Sequence, residues 1–359
     1  MITLLIFLII FGILIIVHEF GHFIVAKKSG VRVDTFSIGF GPKLLRRKKG
    51  GTEYLVSLVP LGGYVKLAGD NLEEYKGKPD EYLSQPIKTR AGIIFCGPFL
   101  NYLLGILIFW FVFFTGFPAA TSRVGEVIDD FGAKEAGLKP QDKIIAIDGK
   151  RIVYWDELQK VIQEKASQPN VNLAVLREGK ELTVAVKIKQ QEFTDIFGKK
   201  HTLGLIGIAP SDETIKLKYG ILKSFSLSIG QTWKITAVTY AGLWQVITGK
   251  LSMRESMTGP LGIFYITAKA AKFGLVAVLH LLALLSISLA IFNLLPLPVL
   301  DGGHLFLLGL EKIRGKALGI KAERWVSQTG MTLMIGLAVL VTFNDIIRLF
   351  GNKISGLFK

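Results

Sequence analysis

Five consecutive residues, His18-Glu19-Phe20-Gly21-His22, set two imidazoles four positions apart with a carboxylate between them. On an α-helix, positions i and i+4 share one face, so both rings can reach one metal ion. Glu19 lies one residue along and can reach a water held by that metal. Zinc lowers the pKa of such a water, and a neighbouring carboxylate can take its proton and pass it to a leaving amine. A catalytic zinc normally has three protein ligands and one open position, so one ligand is still missing. Asp301 is the candidate, in the run Asn293-Leu-Leu-Pro-Leu-Pro-Val-Leu-Asp301-Gly-Gly. Two prolines break the helix before it, and two glycines after it let the backbone turn close to a site. Two plainer readings stand beside this one. The histidines could serve a polar helix contact or a water-filled crevice without metal, and Asp301 could be a turn or helix-capping residue.

The elements that position these residues follow from hydropathy. The chain has 359 residues, half of them hydrophobic, and 43 Lys and Arg against 28 Asp and Glu, a net charge of +15. Its mean hydropathy is +0.45. So apolar a chain with a fifth of its residues charged must segregate the charges from long apolar runs, as membrane proteins do. Four runs are long enough to cross a bilayer core of about 30 Å: Ile2 to Ala26, Ala91 to Phe117, Phe273 to Leu300, and about Trp325 to Asn344. The first lacks the basic leader and small-residue cleavage site of a secretory signal, and is read as retained. Ionisable groups inside a span are costly, so His18, Glu19 and His22 call for a partner or a function. The loop from Lys27 to Ala91 holds 13 Lys and Arg, and the segment after the third span adds Lys312, Arg314, Lys316, Lys321 and Arg324. The positive-inside rule places both in the cytoplasm, and the termini and the segment from Pro118 to Lys272 outside. Residues 220–248 are apolar but carry Lys223, Gln231, Lys234 and Gln245, which suits a helix in the interface rather than a fifth span. That choice also puts Asp301 on the cytoplasmic side, where His22 lies about 7 Å and His18 about 13 Å before Lys27.

Together these residues resemble the site-2 protease family of intramembrane zinc metalloproteases, in its bacterial RseP-type branch. The resemblance covers nearly the whole chain. Val17 to His22 matches the family's H-E-x-x-H, Gly97-Pro-Phe-Leu-Asn101 its G-x-x-x-N element, and Asn293 to Gly303 its N-x-x-P-x-P-x-L-D-G motif; Phe36 to Pro42 and Pro60 to Lys66 are similar to intervening segments. The resemblance implies one Zn2+ per chain, held by His18, His22 and Asp301, with Glu19 as catalytic acid/base. It implies single-pass membrane proteins as substrates, among them anti-sigma factors and signal-peptide remnants, cut by regulated intramembrane proteolysis in the bacterial cytoplasmic (inner) membrane. Residues 52–68 read as two short strands, Glu53 to Val59 and Tyr64 to Leu67, around Pro60-Leu-Gly-Gly63. A membrane-associated β-hairpin here could bind an unwound substrate by strand addition, with Gly62, Gly63 and Tyr64 as substrate-binding residues, or be an ordinary cytoplasmic hairpin. Asn293 is a candidate to bind the substrate backbone. Gly97 and Asn101 fit equally a helix-packing role and a role in the site.

Residues 122–190 alternate strand-like runs with one helix, Asp156 to Lys165, and Ala136 to Gly149 resembles a bacterial PDZ domain, with Gln141 where the pattern has Gly. Only a local turn change is expected from that difference. The groove of such a domain could bind a peptide or merely exclude bulky substrates. The expected fold is a polytopic α-helical membrane protein with four transmembrane helices, the membrane-associated β-hairpin, and an inserted α+β PDZ-like domain. Its parts are residues 1–117, the first two spans and cytoplasmic loop; 118–215, the extracytoplasmic PDZ-like domain with trailing strands; 216–272, an interfacial amphipathic segment; and 273–359, the last two spans. The lone Cys96 excludes an internal disulfide and a cysteine zinc site. Arg46-Arg47-Lys48-Lys49 beside a span reads as a lipid and topology signal, and no nucleic-acid partner is expected. Two other functions remain open: a membrane metal transporter or sensor, and a PDZ scaffold with an inert membrane site.

Overall fold

A computed structural model describes residues 2–194, 200–252, 258–316 and 319–357. The chain forms two compact units, Met1–Val112 with Phe225–Lys359, and Phe113–Ser224. Among the described residues, four helices are long and apolar enough to cross a membrane, with spans at Ile2–Lys28, Ile87–Thr115, Leu275–Asn293 and Arg324–Arg348.

The first unit opens with α1 (Ile2–Lys28), a helix apolar on nearly every face, which buries only Ile10, Leu14, Gly21 and Ala26. A helix suits this run because hydrocarbon offers no partners to an open backbone. It ends at Gly30, whose positive φ of 77° lets the Val31 N–H reach back to the Ala26 carbonyl. The chain then forms β1 (Val33–Lys49) and β2 (Thr52–Leu67). Their tight turn lies at Gly50-Gly51, both with positive φ. A two-residue hairpin turn of this kind needs left-handed backbone at both positions, and Gly-Gly supplies it. This corrects the expected hairpin around Pro60-Leu-Gly-Gly63: that segment has no positive φ and stays extended inside β2. Its two arms do not pair with each other. Thr35 to Ile38 lies between them, pairing with Glu53 to Val56 on one side and with Gly63 to Lys66 on the other. Ala26, Val31, Val33, Leu67 and Ile93 form the apolar cluster that ties this sheet to the neighbouring helices. The helix α2 (Ile87–Thr115) follows, with Pro98 inside it.

The described residues of the second unit form ten short strands and two helices. In chain order these are β3 (Phe117–Ala120), β4 (Val124–Val127), α3 (Gly132–Glu135), β5 (Lys143–Ile147), β6 (Lys150–Arg151), α4 (Trp155–Glu164), β7 (Asn170–Arg177), β8 (Lys180–Lys187), β9 (Lys189–Thr194), β10 (Lys200–Leu205), β11 (Ile208–Pro210) and β12 (Thr214–Leu217). One sheet has the order β6-β5-β7-β8, while β9 pairs with β10, β11 with β4, and β12 with β3. Leu158, Val161 and Ile162 of α4 enter a core with Ile144, Ile147, Val171, Leu173, Val175 and Val186. Their alternation along β7 is the period-2 signature of a half-buried strand. Gln141 has φ 74°, so it occupies the left-handed conformation that glycine adopts without cost. The turn is kept, with a strained residue in it.

Returning to the first unit, the segment read as one interfacial stretch contains two helices, α5 (Ile221–Ile247) and α6 (Pro260–Lys272); residues 253–257 lie outside the described residues. Tyr102 bonds Thr236 at 2.7 Å and Trp110 meets Phe225 edge-on, so α5 runs antiparallel along α2. Three helices complete the unit: α7 (Leu275–Asn293), α8 (Asp301–Arg314) and α9 (Ile320–Leu357). The buried Asp345 of α9 accepts the N–H groups of Gly259 and Gly262, which caps α6.

In the second unit the Asp142 carboxylate is 1% exposed. It accepts two bonds from Arg177, at 2.7 and 2.6 Å, and one from the Lys139 N–H at 2.8 Å. Burial raises its pKa, but these bonds outweigh burial and hold it below the usual carboxylate range. Its contribution to stability is therefore complete above the unfolded value of about 3.9 and is lost as pH falls through the folded one. Asp142→Asn is expected to cost about 2 kcal/mol near neutral pH and to flatten the acid limb of the stability curve. Unfolding of this unit followed from neutral to acid pH checks both.

Candidate functional site

Three helices that are far apart in sequence bring the chemistry together. His18 and His22 stand one turn apart on α1, and Asp301 is the first residue of α8. His18 Nε2 lies 3.1 Å from Asp301 Oδ2, His22 Nε2 lies 3.6 Å from Asp301 Oδ1, and the two Nε2 atoms are 3.2 Å apart. Bonds of about 2.0–2.1 Å to a tetrahedral zinc set neighbouring ligand atoms about 3.3–3.4 Å apart. The observed separations, taken to one or the other carboxylate oxygen, are close to that value, and one donor atom from each of the three residues lies within 4.8 Å of the other two. Asp301 Oδ2 is buried and accepts no hydrogen bond among the described residues. A buried carboxylate oxygen without a partner is costly, and a cation between the three groups would relieve it. Among the described residues, this is the one group of His, Cys, Asp or Glu able to hold a metal ion.

Asp301 reaches this point through a folded-back turn. After α7 ends at Asn293, the chain passes Pro296 and Pro298, and Val299 takes a positive φ of 77°. A Cβ on Gly302 would lie 2.3 Å from the Leu294 and Leu295 carbonyl oxygens, and one on Gly303 would lie 2.1 Å from that of Leu297. Only glycine lets the start of α8 lie on the turn that precedes it. Further along α8, Glu311 pairs with the nearly buried Arg90 of α2 through both carboxylate oxygens. Nothing in the sequence suggested that pair.

The α1 and α2 backbones touch beside the histidines. A Cβ on Gly21 would lie 2.3 Å from the Cys96 carbonyl oxygen, and one on Gly97 would lie 2.3 Å from His22 Nε2 and 3.1 Å from His18 Cε1. The His22 Nδ1 donates to the Ile93 carbonyl at 2.9 Å, which leaves the Nε2 lone pair facing Asp301. Pro98 sits in the next turn and, having no N–H, leaves the helix ladder incomplete there.

Glu19 is half-buried, with the backbone of Val65 beside its carboxylate. A Cβ on Gly63 would come within 3.3 Å of Glu19 Cγ. The run from Gly63 to Lys66 is paired on one edge only, among the described residues, and it passes the Glu19 carboxylate. Packing alone already requires two of the three residues singled out here: a side chain on Gly62 would enter the Phe40 ring, and one on Gly63 would meet the Ser37 carbonyl. Tyr64 stacks on Phe40. Asn293 is half-buried at the end of α7 and makes no hydrogen bond to His18, His22 or Asp301 among the described residues.

Membrane-length helices that carry an H-E-x-x-H pair and gather a distant aspartate beside it define the class of a membrane zinc metalloendopeptidase. The chain belongs to Peptidase family M50, the site-2 protease family, whose model matches residues 6–337. It is 34% identical to an Agrobacterium fabrum protein with a provisional zinc metalloprotease name, over 96% of each chain. It is 29% identical to the zinc metalloprotease RasP of Oceanobacillus iheyensis, over 98% of this chain and all of the other. With the regulator of sigma E protease of Haemophilus influenzae it shares 27% identity, over 96% and 98% of the two chains.

Because a Gly97 side chain must displace the His22 ring or part the two helices, Gly97→Ala is expected to weaken zinc binding at least tenfold, within the range of about 10–100-fold for disturbed ligand support. Chelator competition on the purified chain measures it. Unchanged affinity would show that the rings have room to move.

Proposed function

We propose that this chain cleaves single-pass membrane proteins within or beside their membrane segment, with one Zn2+ held by His18, His22 and Asp301. The observation that carries the reading is the convergence of those three ligand atoms beside Glu19 and an open strand edge. Bound there, zinc supplies a Lewis acid for the scissile carbonyl and acidifies the attacking water. Glu19 takes the proton from that water and returns it to the leaving amine. A helical substrate must first unwind, because its scissile carbonyl is otherwise committed to the helix ladder. The edge from Gly62 to Lys66, including Gly63 and Tyr64, receives the unwound strand through main-chain hydrogen bonds and sets it against Glu19. Asn293 adds a side-chain amide for the substrate backbone.

The distribution of Lys and Arg supports an inner-membrane orientation with both termini and residues 118–215 outside the cytoplasm. The second unit is read as the PDZ-like domain. In support, Gly204 to Ile208 face α4 across a cavity lined by Phe131, Leu158 and Ile162. There the Gln163 side-chain amide bonds both the N–H and the carbonyl of Gly204, as the backbone of an added peptide strand would. A peptide seated in that groove would replace Gln163. The likeness to a relative named regulator of sigma E protease favours anti-sigma factors among the substrates, with signal-peptide remnants as a second class. Regulated intramembrane proteolysis is thus the reading, ahead of a metal transporter or sensor and of an inert PDZ scaffold.

Co-expression of the chain with a panel of single-span proteins separates these readings. Glu19→Gln is expected to abolish cleavage, a loss of at least about a hundredfold for a removed general base, with the uncut substrate accumulating and zinc retained. Equal cleavage by the variant, or no substrate that accumulates with it, would contradict the protease reading.

A further inference from the structure

The α2 residues 93, 97 and 101 are spaced four apart and therefore share one face of the helix. That face lies on the histidine pair of α1: the Ile93 carbonyl bonds His22 Nδ1, Gly97 leaves room for both rings, and the Asn101 side-chain amide lies 3.3 Å from His18 Nδ1. The Asn101 side chain is fully buried, and its Oδ1 has no hydrogen-bond partner among the described residues. Its backbone carbonyl is held separately by the Ser286 hydroxyl of α7 at 2.7 Å. An amide can offer the imidazole either end. With Nδ2 toward Nδ1 it donates, and the ring must then carry its hydrogen on Nε2. With Oδ1 turned there it accepts, the hydrogen sits on Nδ1, and Nε2 faces His22 and Asp301 with a lone pair. Either arrangement leaves one end of the amide without a partner, but only the second, with Oδ1 on the ring, leaves His18 able to bind a cation through Nε2.

We propose that Asn101 is a positioning residue for the metal centre: its Oδ1 accepts the His18 Nδ1 hydrogen, fixing the tautomer and the ring plane, as the Ile93 carbonyl does for His22. This rests on the reading of His18 as a zinc ligand. A neutral amide suits the task, because a carboxylate in the same place would add a charge inside a membrane span. The bond to Ser286 fixes the backbone from which the amide reaches, so that packing and ligand support are separate functions of one residue.

Zinc affinity of the purified full-length chain, measured by chelator competition, tests the proposal together with the visible spectrum of the Co2+-substituted protein. Asn101→Leu keeps the volume and removes the acceptor; it is expected to weaken zinc binding by about 10–100-fold and to alter the Co2+ spectrum. Asn101→Asp restores an acceptor and is expected to bind zinc within a few-fold of wild type. Ser286→Ala breaks only the packing bond and is expected to leave affinity unchanged. If Asn101→Leu does not fold, Asn101→Ala is measured in its place. Wild-type affinity in the Leu or Ala variant would overturn the proposal. So would an Asp variant as weak as Leu, or a Ser286→Ala loss equal to it. A wild-type chain that binds no zinc at this site would instead contradict the underlying ligand assignment.

Discussion

Two imidazoles and one carboxylate meet with ring nitrogens and carboxylate oxygens 3.1 to 3.6 Å apart, the imidazoles on a helix whose buried Ile10 and Leu14 belong to an apolar cluster. In hydrocarbon such a cluster is expensive, because each polar group has given up water and the carboxylate has an oxygen with nothing to bond. The rest of the first unit is organised around that cost. The helices approach through glycine where the rings must fit. The outer nitrogen of each ring faces a polar group of α2. The aspartate arrives on a helix whose first turn lies on a proline-containing loop.

The same constraint explains why the sheet sits where it does. The β1–β2 sheet is tied to α1 by Phe23, Val31, Val33 and Leu67, and its Gly63 has no side chain at the place where it passes Glu19. A strand edge next to the Glu19 carboxylate is an arrangement that suits an extended peptide, which a membrane helix becomes only after unwinding. The ion pair between Arg90 and Glu311 is nearly dry and joins α2 to α8, so the helix that supports the histidines is also fixed to the helix that carries Asp301. A buried pair of this kind specifies geometry more than it adds stability.

Much of this was legible in the sequence because the chemistry sits at fixed spacing. His18, Glu19 and His22 are read from a helix period, and Asp301 from the proline and glycine residues around it. The four spans are read from uninterrupted apolar runs. Other features were hidden for physical reasons. The strand from Val33 to Lys49 carries Arg46-Arg47-Lys48-Lys49, which marks a loop beside a membrane as readily as a strand. The Gly50-Gly51 turn was overshadowed by Pro60 to Gly63, although only the former takes left-handed backbone. The support given by Ile93 is a main-chain carbonyl, which no side-chain pattern records. The pairing of Arg90 with Glu311 joins residues that only the packing of α8 brings together. Lys223, Gln231, Lys234 and Gln245 read as interface polarity, and the packing of α5 was not visible: Thr232, Thr236 and Thr239 bond the carbonyls of their own helix, and Thr236 also meets Tyr102 of α2.

X-ray absorption at the zinc edge of the purified chain tests the central claim most directly. The account predicts a shell of nitrogen and oxygen donors at about 2.0–2.1 Å, including two imidazoles, with the spectrum lost or changed in Asp301→Ala. A sulfur contribution near about 2.3 Å, or an unchanged spectrum when Asp301 is replaced, would place the metal elsewhere and contradict it.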